Sequence, residues 1–383
     1  MVKEEEYVEY KGKKLFIEDA EFLEKYKGKI KEYNIENNFI SKITIPRGAE
    51  YIYSIGDLKK LKNLKRLYIT GAAIKDLTYD KLPKSIEEIY AMRCEELTNY
   101  KLKNLNKLKE LDIRRTAINE LTYDKLPEST EKIYARGCKN LTYYNLKNLN
   151  KLKILDIGET AIKELTYDKL PESIEVIYAG WCKNLTNYNL KNLNKLKELD
   201  IFGTAIDELT YDKLPESIEV ISAGGCKNLT NYNLKNLNKL KILGIRVTAI
   251  KELTYNKLPE SIEVISAGWC ENLTNYNLKN LNKLKELDIG GTAIEELTYD
   301  KLPESIEVIY AYHCENLTKC SVKNLKNLKE LYIASSGIKK LGPEDIPESL
   351  ETLVVSIDQD VSEIKKDPRF KNLEIKRARA YFF

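Results

Sequence analysis

The sequence predicts an α/β solenoid, a stack of short coils that each add one strand to a continuous parallel sheet. Prolines recur every 44 residues from Pro83 to Pro347, and each period divides into two halves of 22 residues. One half follows the pattern L-x-x-L-x-I and the other I-x-x-I-x-A, and the alternation at Leu287, Asp288 and Ile289 is that of a β-strand. A coil this short cannot bury its apolar edge alone, so neighbouring coils must stack.

Counting one strand per coil predicts about 16 strands, with the last at Phe370–Ile375. The Pro, Asn, Thr and Tyr residues between strands predict short irregular or 3-10 returns. Residues 41–63 break the 22-residue register, as if an insertion lengthened one coil.

An open stack exposes apolar side chains at both ends, so caps are expected at 1–29 and 359–383, around a repeat domain at 30–358. The first cap should contain a hairpin around Gly12 and a short helix over Asp19–Tyr26, which Gly28 could stop. The second ends in the aromatic residues Tyr381, Phe382 and Phe383.

Composition limits the partners. The 63 basic and 59 acidic residues leave a net charge of only +4, which argues against nucleic acid and membrane surfaces as general partners. Residues 1–10 are charged where a signal peptide needs an apolar run. From these features we expect a cytoplasmic protein, and we assume a monomer.

The motif that begins at Leu284, L-x-x-L-x-I-x-x-T-x-I, resembles the leucine-rich repeat, and the likeness extends over about residues 30–375. The resemblance implies a horseshoe whose parallel sheet forms a concave, ligand-binding face and whose returns form the convex side. ELDIGGTAIEEL at Glu286–Leu297 and AGWCENLTNY at Ala267–Tyr276 resemble plant TIR-type immune receptors, while LPESIEVI resembles the LPX repeats of bacterial effectors. Where the family usually has Asn, this chain alternates Thr and Cys, which are small enough to fill a narrow coil.

Residue chemistry gives little support for catalysis or metal binding. Same-phase cysteines are two coils apart, beyond the reach of a disulfide, so we expect free thiols. No Cys or His cluster has zinc-site spacing, and the single His313 lacks an evident nucleophile to activate. Acidic pairs such as Glu286 and Asp288 share one strand face, where a solvated charged surface is the simpler interpretation. We therefore expect no catalytic, cofactor or metal site.

The repeats differ mainly at two positions just after each strand, while the rest of each 44-residue unit is nearly unchanged. Both tryptophans, the only histidine and six of the ten arginines lie at positions predicted to be concave. Drift would have altered the exposed Lys and Asn of NLKNLNKLK as freely, so binding is the favoured explanation. The predicted contact residues are Arg66, Tyr90, Arg93, Arg114, Arg115, Tyr134, Arg136, Tyr178, Trp181, Phe202, Arg246, Trp269, Tyr310, Tyr312 and His313.

Trp, Tyr and Arg dominate binding hot spots, so these residues predict a protein or peptide ligand. Arginines concentrate in the first third of the face and aromatic residues in the remainder, which predicts a partner with an acidic segment beside an apolar one. Two alternatives stay open: an effector or substrate-recognition subunit linked to host or ubiquitin-type machinery, and nucleic-acid binding through basic residues. An enzyme would depend on His313 and the acidic pairs.

Overall fold

The computed structural model describes residues 7–47 and 58–378. The chain divides into two compact units, Met1–Leu185 and Thr186–Phe383. This boundary lies inside the repeat array, and the cap boundaries at residues 29 and 359 stay predictions. Each unit is a β-solenoid of 22-residue coils, as the sequence predicts.

Within the described part of the first unit, eight strands form the main sheet. They are Glu32–Glu36, Phe39–Thr44, Arg66–Tyr68, Glu88–Tyr90, Glu110–Asp112, Lys132–Tyr134, Ile154–Asp156 and Val176–Tyr178. The first two are antiparallel, and every later pair is parallel with residues 22 apart in register from Arg66 onward.

Nine parallel strands form the main sheet in the described part of the second unit. They are Glu198–Asp200, Val220–Ser222, Ile242–Gly244, Val264–Ser266, Glu286–Asp288, Val308–Tyr310, Glu330–Tyr332, Thr352–Ser356 and Glu374–Ala378. The last strand begins at Glu374, so its predicted start at Phe370 is wrong. Phe370 is instead a buried residue of the 3-10 turn Pro368–Phe370.

The core of each coil consists of the apolar residues that define the repeat. Leu284, Leu287 and Ile289 have at most 1% of their surface exposed, as does Ile294. The middle residue of a three-residue strand points inward, and its two neighbours point to the opposite face. The exposed face of the main sheet therefore carries the first and third residues of each strand.

The returns contain short strands as well as the predicted 3-10 turns. The return strands are Asp76–Thr78, Asn99–Lys101, Glu120–Thr122, Tyr143–Asn145, Glu164–Thr166, Asn187–Asn189, Glu208–Thr210, Asn231–Asn233, Glu252–Thr254, Asn275–Asn277, Glu296–Thr298 and Lys319–Ser321. The 3-10 turns are Tyr79–Lys81, Tyr167–Lys169, Tyr255–Lys257 and Tyr299–Lys301. Where a pair is formed within one unit, as between Glu252–Thr254 and Asn275–Asn277, it is parallel.

A buried tyrosine joins neighbouring coils on the return side. The hydroxyl of Tyr276 accepts a hydrogen bond of 3.0 Å from the backbone N–H of Thr298, and the side chain is 2% exposed. Lys301 lies over the same ring at 5.6 Å and pairs with Glu296. The tyrosines that repeat this arrangement are Tyr100, Tyr144, Tyr188 and Tyr232.

A second internal ladder alternates Thr and Cys. Thr116 Oγ1 donates to the carbonyl of Ile113 at 2.8 Å and lies 3.3 Å from Cys138 Sγ, whose thiol donates to the same carbonyl at 3.1 Å. All seven cysteines are buried and free, as expected. Burial raises the pKa of these thiols, for example that of Cys94 to about 11. They act as small polar core residues.

Structured segments flank the repeats. The strands Tyr7–Tyr10 and Lys13–Phe16 form the hairpin expected around Gly12, and the helix Ile17–Lys25 follows. The carboxylate of Asp19 accepts a hydrogen bond of 2.6 Å from the N–H of Ile40, which ties the helix to the first coils.

Near the other end, the short helix Ser362–Lys366 precedes the last strand. The terminal aromatic residues and the centre of the expected insertion at 41–63 lie outside the described residues.

Candidate binding face

The variable residue pairs lie in a turn that follows each main-sheet strand, which we call the exit turn. After the strand Val264–Ser266 comes buried Ala267, then the pair Gly268 and Trp269, and then buried Cys270. The strand ends at Ser266, before this pair, so strand alternation does not apply to these residues. The turn backbone, and not the pleat, therefore sets the direction of their side chains.

The second residue of the exit turn has a left-handed backbone at thirteen described positions, spaced 22 residues apart from Gly71 to Ser335. Five of these are glycine, for which a positive φ has no steric cost. The other eight are Arg93, Arg115, Glu159, Trp181, Val247, Trp269, His313 and Ser335. The left-handed conformation costs a residue with a Cβ roughly 1–2 kcal/mol. Bulky side chains are thus retained at a position where glycine would be less strained.

A buried carboxylate caps several exit turns. Oδ1 of Asp288 accepts a hydrogen bond of 3.0 Å from the N–H of Gly290, and Asp112, Asp156 and Asp200 accept equivalent bonds. Asp112, Asp156 and Asp288 are only 3%, 8% and 8% exposed. Burial raises the pKa of the Asp156 and Asp288 carboxyls from its ordinary value. The interpretation of the acidic pairs as a solvated face is therefore wrong for Asp112 and Asp288.

Most of the predicted arginines already have a carboxylate partner. Nε and Nη2 of Arg114 bind the two oxygens of Asp112 at 3.0 and 2.6 Å. The other pairs are Arg66 with Glu88 at 3.5 Å, Arg136 with Glu159 at 2.9 Å and Arg246 with Asp288 at 3.7 Å. In the described part of the chain, Arg93 and Arg115 form no ion pair. The case for an acidic partner segment is correspondingly weaker.

Aromatic side chains lie over glycines of the adjacent coil. A Cβ placed on Gly291 would be 2.6 Å from the indole of Trp269, and one placed on Gly290 would be 2.8 Å from the ring of Tyr312. Phe202 covers Gly224 in the same way. Part of the variation between coils is therefore internal packing, in which an aromatic side chain occupies the space beside a glycine.

Tyrosines form further contacts on the exposed face. Tyr68 and Tyr90 stack with ring centroids 4.5 Å apart, and Tyr310 and Tyr332 lie 4.7 Å apart. The guanidinium of Arg114 lies 5.7 Å from the ring centroid of Tyr134. His313 lies between two rings, 5.7 Å from Trp269 and 5.9 Å from Tyr312.

None of the fifteen predicted contact residues is buried. Arg93, Arg115, Trp181, Arg246 and Trp269 are exposed. The half-buried ones are Arg66, Tyr90, Arg114, Tyr134, Arg136, Tyr178, Phe202, Tyr310, Tyr312 and His313. The structure brings them together in smaller groups within each unit. Arg114 contacts Tyr134, and the ring of His313 contacts both Trp269 and Tyr312.

Each tryptophan also walls a groove beside its exit turn. The first groove, of about 400 Å³, is lined by Lys139, Glu159, Thr160, Ala161, Trp181, Lys183 and Asn184. The second, of about 240 Å³, is lined by Lys227, Val247, Thr248, Ala249, Trp269, Glu271 and Asn272. These are the same repeat positions 88 residues apart. The equivalent positions 44 residues before the first groove, with Gly137 in place of tryptophan, line a third groove of about 480 Å³. The pattern therefore builds one type of groove at these three places, and the tryptophans change its wall.

The sequence analysis did not predict that aspartates cap the exit turns, because an Asp on the outward face of a strand is expected to be exposed to solvent. A usable signal existed in Asp156 and Asp288, since each is followed two residues later by a glycine. Across residues 7–47 and 58–378, no group of three or more His, Cys, Asp or Glu side chains could hold a metal ion. The same residues include no helix long and apolar enough to cross a membrane.

The fold is the leucine-rich-repeat solenoid. Among solved structures, InlJ of Listeria monocytogenes, whose functional domain includes a cysteine ladder, is similar at TM-score 0.61 and 18% identity, over 88% of this chain and 70% of that one. A leucine-rich-repeat protein of Leptospira interrogans is similar at 0.52 and 18%, over 87% and 92%. The effector YopM of Yersinia pestis is similar at 0.52 and 23%, over 76% and 88%. The sequence matches no protein-family model and no curated protein.

Proposed function

We propose that this chain is a non-enzymatic scaffold that binds another protein or a peptide on the exposed face of its main sheet and the adjoining exit turns. The observation that carries the proposal is the presence of large side chains in left-handed exit turns. Trp181 and Trp269 have φ of +63° and +60° and remain 48% and 38% exposed. Glycine makes the same turn in other coils, so folding does not require a tryptophan there.

Contact area is the property that these tryptophans add. Aromatic side chains supply large contact surfaces at low entropic cost and are enriched at the centres of interfaces. Both line grooves whose remaining walls are small side chains and whose rims carry charge. An apolar side chain of a partner would fit such a groove, while polar groups would lie at its rim.

The arginines do not support the alternative that this chain binds nucleic acid. Phosphate binding needs guanidinium groups that are available to neutralise phosphates. Four of the six arginines on the exposed face or its exit turns pair with carboxylates of the same chain. A protein surface accommodates such mixed charges better than a polyanion does.

The test uses a displayed library of random peptides selected on the immobilised protein. Peptides bound by the wild type should bind the double variant Trp181→Gly and Trp269→Gly at least about tenfold more weakly. Glycine is the matched replacement because it accepts the positive φ. The control is Tyr143→Ala combined with Tyr299→Ala, which removes two exposed aromatic residues from the returns (46% and 44% exposed).

Thermal unfolding checks that both double variants remain folded. The proposal fails if binding persists in the tryptophan variant, or if the return-side variant loses binding equally.

A further inference from the structure

Asp156 is a buried carboxylate with no cation in ion-pair contact among the described residues, although Arg136 and Arg114 act on it from a greater distance and partly offset the rise that burial causes in its pKa. Its Oδ1 accepts the 3.1 Å hydrogen bond from Gly158, and its Oδ2 has no hydrogen-bond or ion-pair partner among the described residues. The side chain is 8% exposed, and Oδ2 is not completely shielded from solvent. Burial of a charged group without a counter-charge in contact is unfavourable, so this oxygen can accept a cationic donor.

The carboxylates at equivalent repeat positions show which group such a site takes. Asp112, one 44-residue unit earlier, binds Arg114 through both oxygens. Asp288, three units later, has Nε of Arg246 at 3.7 Å from Oδ2. In both cases a buried aspartate on the exposed face is accompanied by a guanidinium from its own chain.

The repeat pattern explains why Asp156 lacks this partner. The position of Arg114 in the Asp156 coil is occupied by Gly158, which has no side chain to offer. Arg246 precedes Asp288 by the same number of residues as Arg114 precedes Asp156, so the two arginines are at equivalent repeat positions. Arg114, however, is held by Asp112.

In the second unit the position of Asp112 is occupied by Gly244, so Arg246 is left to pair with Asp288. The remaining arginine near Asp156 is Arg136, and it pairs with Glu159 at 2.9 Å. The chain thus supplies a cation to Asp112 and to Asp288 but none in contact with Asp156.

The surroundings of Asp156 suit a planar cation. Tyr134 and Tyr178 are its register partners on the two adjacent strands, so the three side chains project from the same face of the sheet. Two coils earlier the guanidinium of Arg114 lies between Asp112 and the ring of Tyr134, at 5.7 Å from its centroid. A guanidinium beside a carboxylate and a tyrosine ring combines an ion pair with a cation–π contact.

We propose that Asp156 receives the guanidinium of an arginine from a partner protein, in a slot flanked by Tyr134 and Tyr178. This inference rests on the proposed function and names the chemistry of the partner at one point of the same face. It reverses the expectation from the sequence, since the partner contributes the basic group and this chain the acidic one.

The test measures retention of fluorescent peptide libraries on the immobilised protein. Each library has random flanks around one fixed central residue: arginine, lysine, citrulline or glutamate. Citrulline is the matched control because it keeps the shape of arginine without its charge. The arginine library should be retained about tenfold more than the citrulline library on the wild type.

Three variants locate the effect. Asp156→Asn should abolish the preference for arginine over citrulline, while Asp288→Asn, whose carboxylate already has Arg246, should leave it unchanged. Asp112→Gly copies Gly244 of the second unit and frees Arg114 to pair with Asp156, so it should also abolish the preference.

Two outcomes separate this inference from the proposed function. Retention that depends on Trp181 and Trp269 but is equal for arginine and citrulline would overturn only the role of Asp156. Retention that is the same on the wild type and the double tryptophan variant would overturn the proposed function and this inference together. A preference for the glutamate library would overturn the assignment of a basic partner group.

Discussion

The Gly291→Ala substitution tests whether the indole of Trp269 depends on the glycine beneath it. Gly291 has φ +66°, and a Cβ on it would lie 2.6 Å from Cε3 and 2.7 Å from Cδ2 of Trp269. No real Cβ approaches a rigid ring so closely, so either the indole or the turn must move. If the pairing is real, the cost of the substitution depends on the tryptophan.

Three terms set the expected size of the effect. The positive φ destabilises the folded state of the alanine variant by roughly 1–2 kcal/mol. Alanine has a lower conformational entropy than glycine in the unfolded state, which offsets about 0.4–1 kcal/mol of that cost. Overpacking against the indole adds about 1–3 kcal/mol. We therefore expect Gly291→Ala to lower the free energy of unfolding by about 3 kcal/mol in the wild type, and by about 1 kcal/mol in a Trp269→Ala background.

Equilibrium urea unfolding of the four proteins in this cycle gives the coupling between the two positions, which should be about 2 kcal/mol. Gly12→Ala calibrates the backbone cost, since Gly12 has φ +77° and nothing within 4 Å of the added Cβ. Equal costs of Gly291→Ala in both backgrounds would refute the packing argument, and the variation between coils would then need another explanation.

Two further predictions concern buried polar groups. Tyr276→Phe leaves the buried N–H of Thr298 without its acceptor, so it should lower the free energy of unfolding by about 1–3 kcal/mol in urea titrations. Tyr299→Phe, on the exposed return, is the control and should change that free energy by less than about 0.5 kcal/mol. Equal effects of the two substitutions would show that the Tyr276 hydrogen bond is unimportant. Burial raises the pKa of Asp19 from 3.8 to about 6, so the folded state binds this proton more tightly. As the pH falls from 7 to 4, the free energy of unfolding of the wild type should therefore rise by about 2 kcal/mol relative to that of Asp19→Asn, and parallel pH profiles would contradict this.

The core could be predicted from the sequence because its signals are local and repeated. Leu287 and Ile289 alternate with Asp288 in one short stretch, and the same spacing recurs along the chain. That alternation is sufficient to predict a strand, and its repetition in each coil is sufficient to predict a stack of coils. The free state of the cysteines followed from the same spacing, since residues two coils apart are too distant to bridge.

The buried tyrosines were missed although their spacing is as regular as that of the cysteines. Asn275, Tyr276 and Asn277 form a return strand, but Asn on both sides of Tyr favours a turn by local propensity. The hydroxyl of the buried ring accepts its hydrogen bond from the N–H of Thr298, 22 residues away. No local pattern contains that contact.

The candidate site could be located from the sequence but not described from it. Comparison of the repeats identified the exit turns, because variation is concentrated there. The pairing of Arg114 with Asp112 lies within one coil, but it and the pairing of Arg136 with Glu159 leave neither arginine in contact with Asp156, and that depends on side-chain positions in neighbouring coils. Those positions led us to propose a basic partner group where the sequence predicted an acidic one.

The sequence by itself determined the length of the coil, the placement of the main strands and the residues that face inward, since each follows from spacing along one chain segment. Only the tertiary structure decided which backbone positions are left-handed, which glycines lie under aromatic rings and which carboxylates lack a cation. The physical reason is that stacking brings residues 22 and 44 positions apart into contact, where the shape and charge of one side chain fix what its neighbour can be.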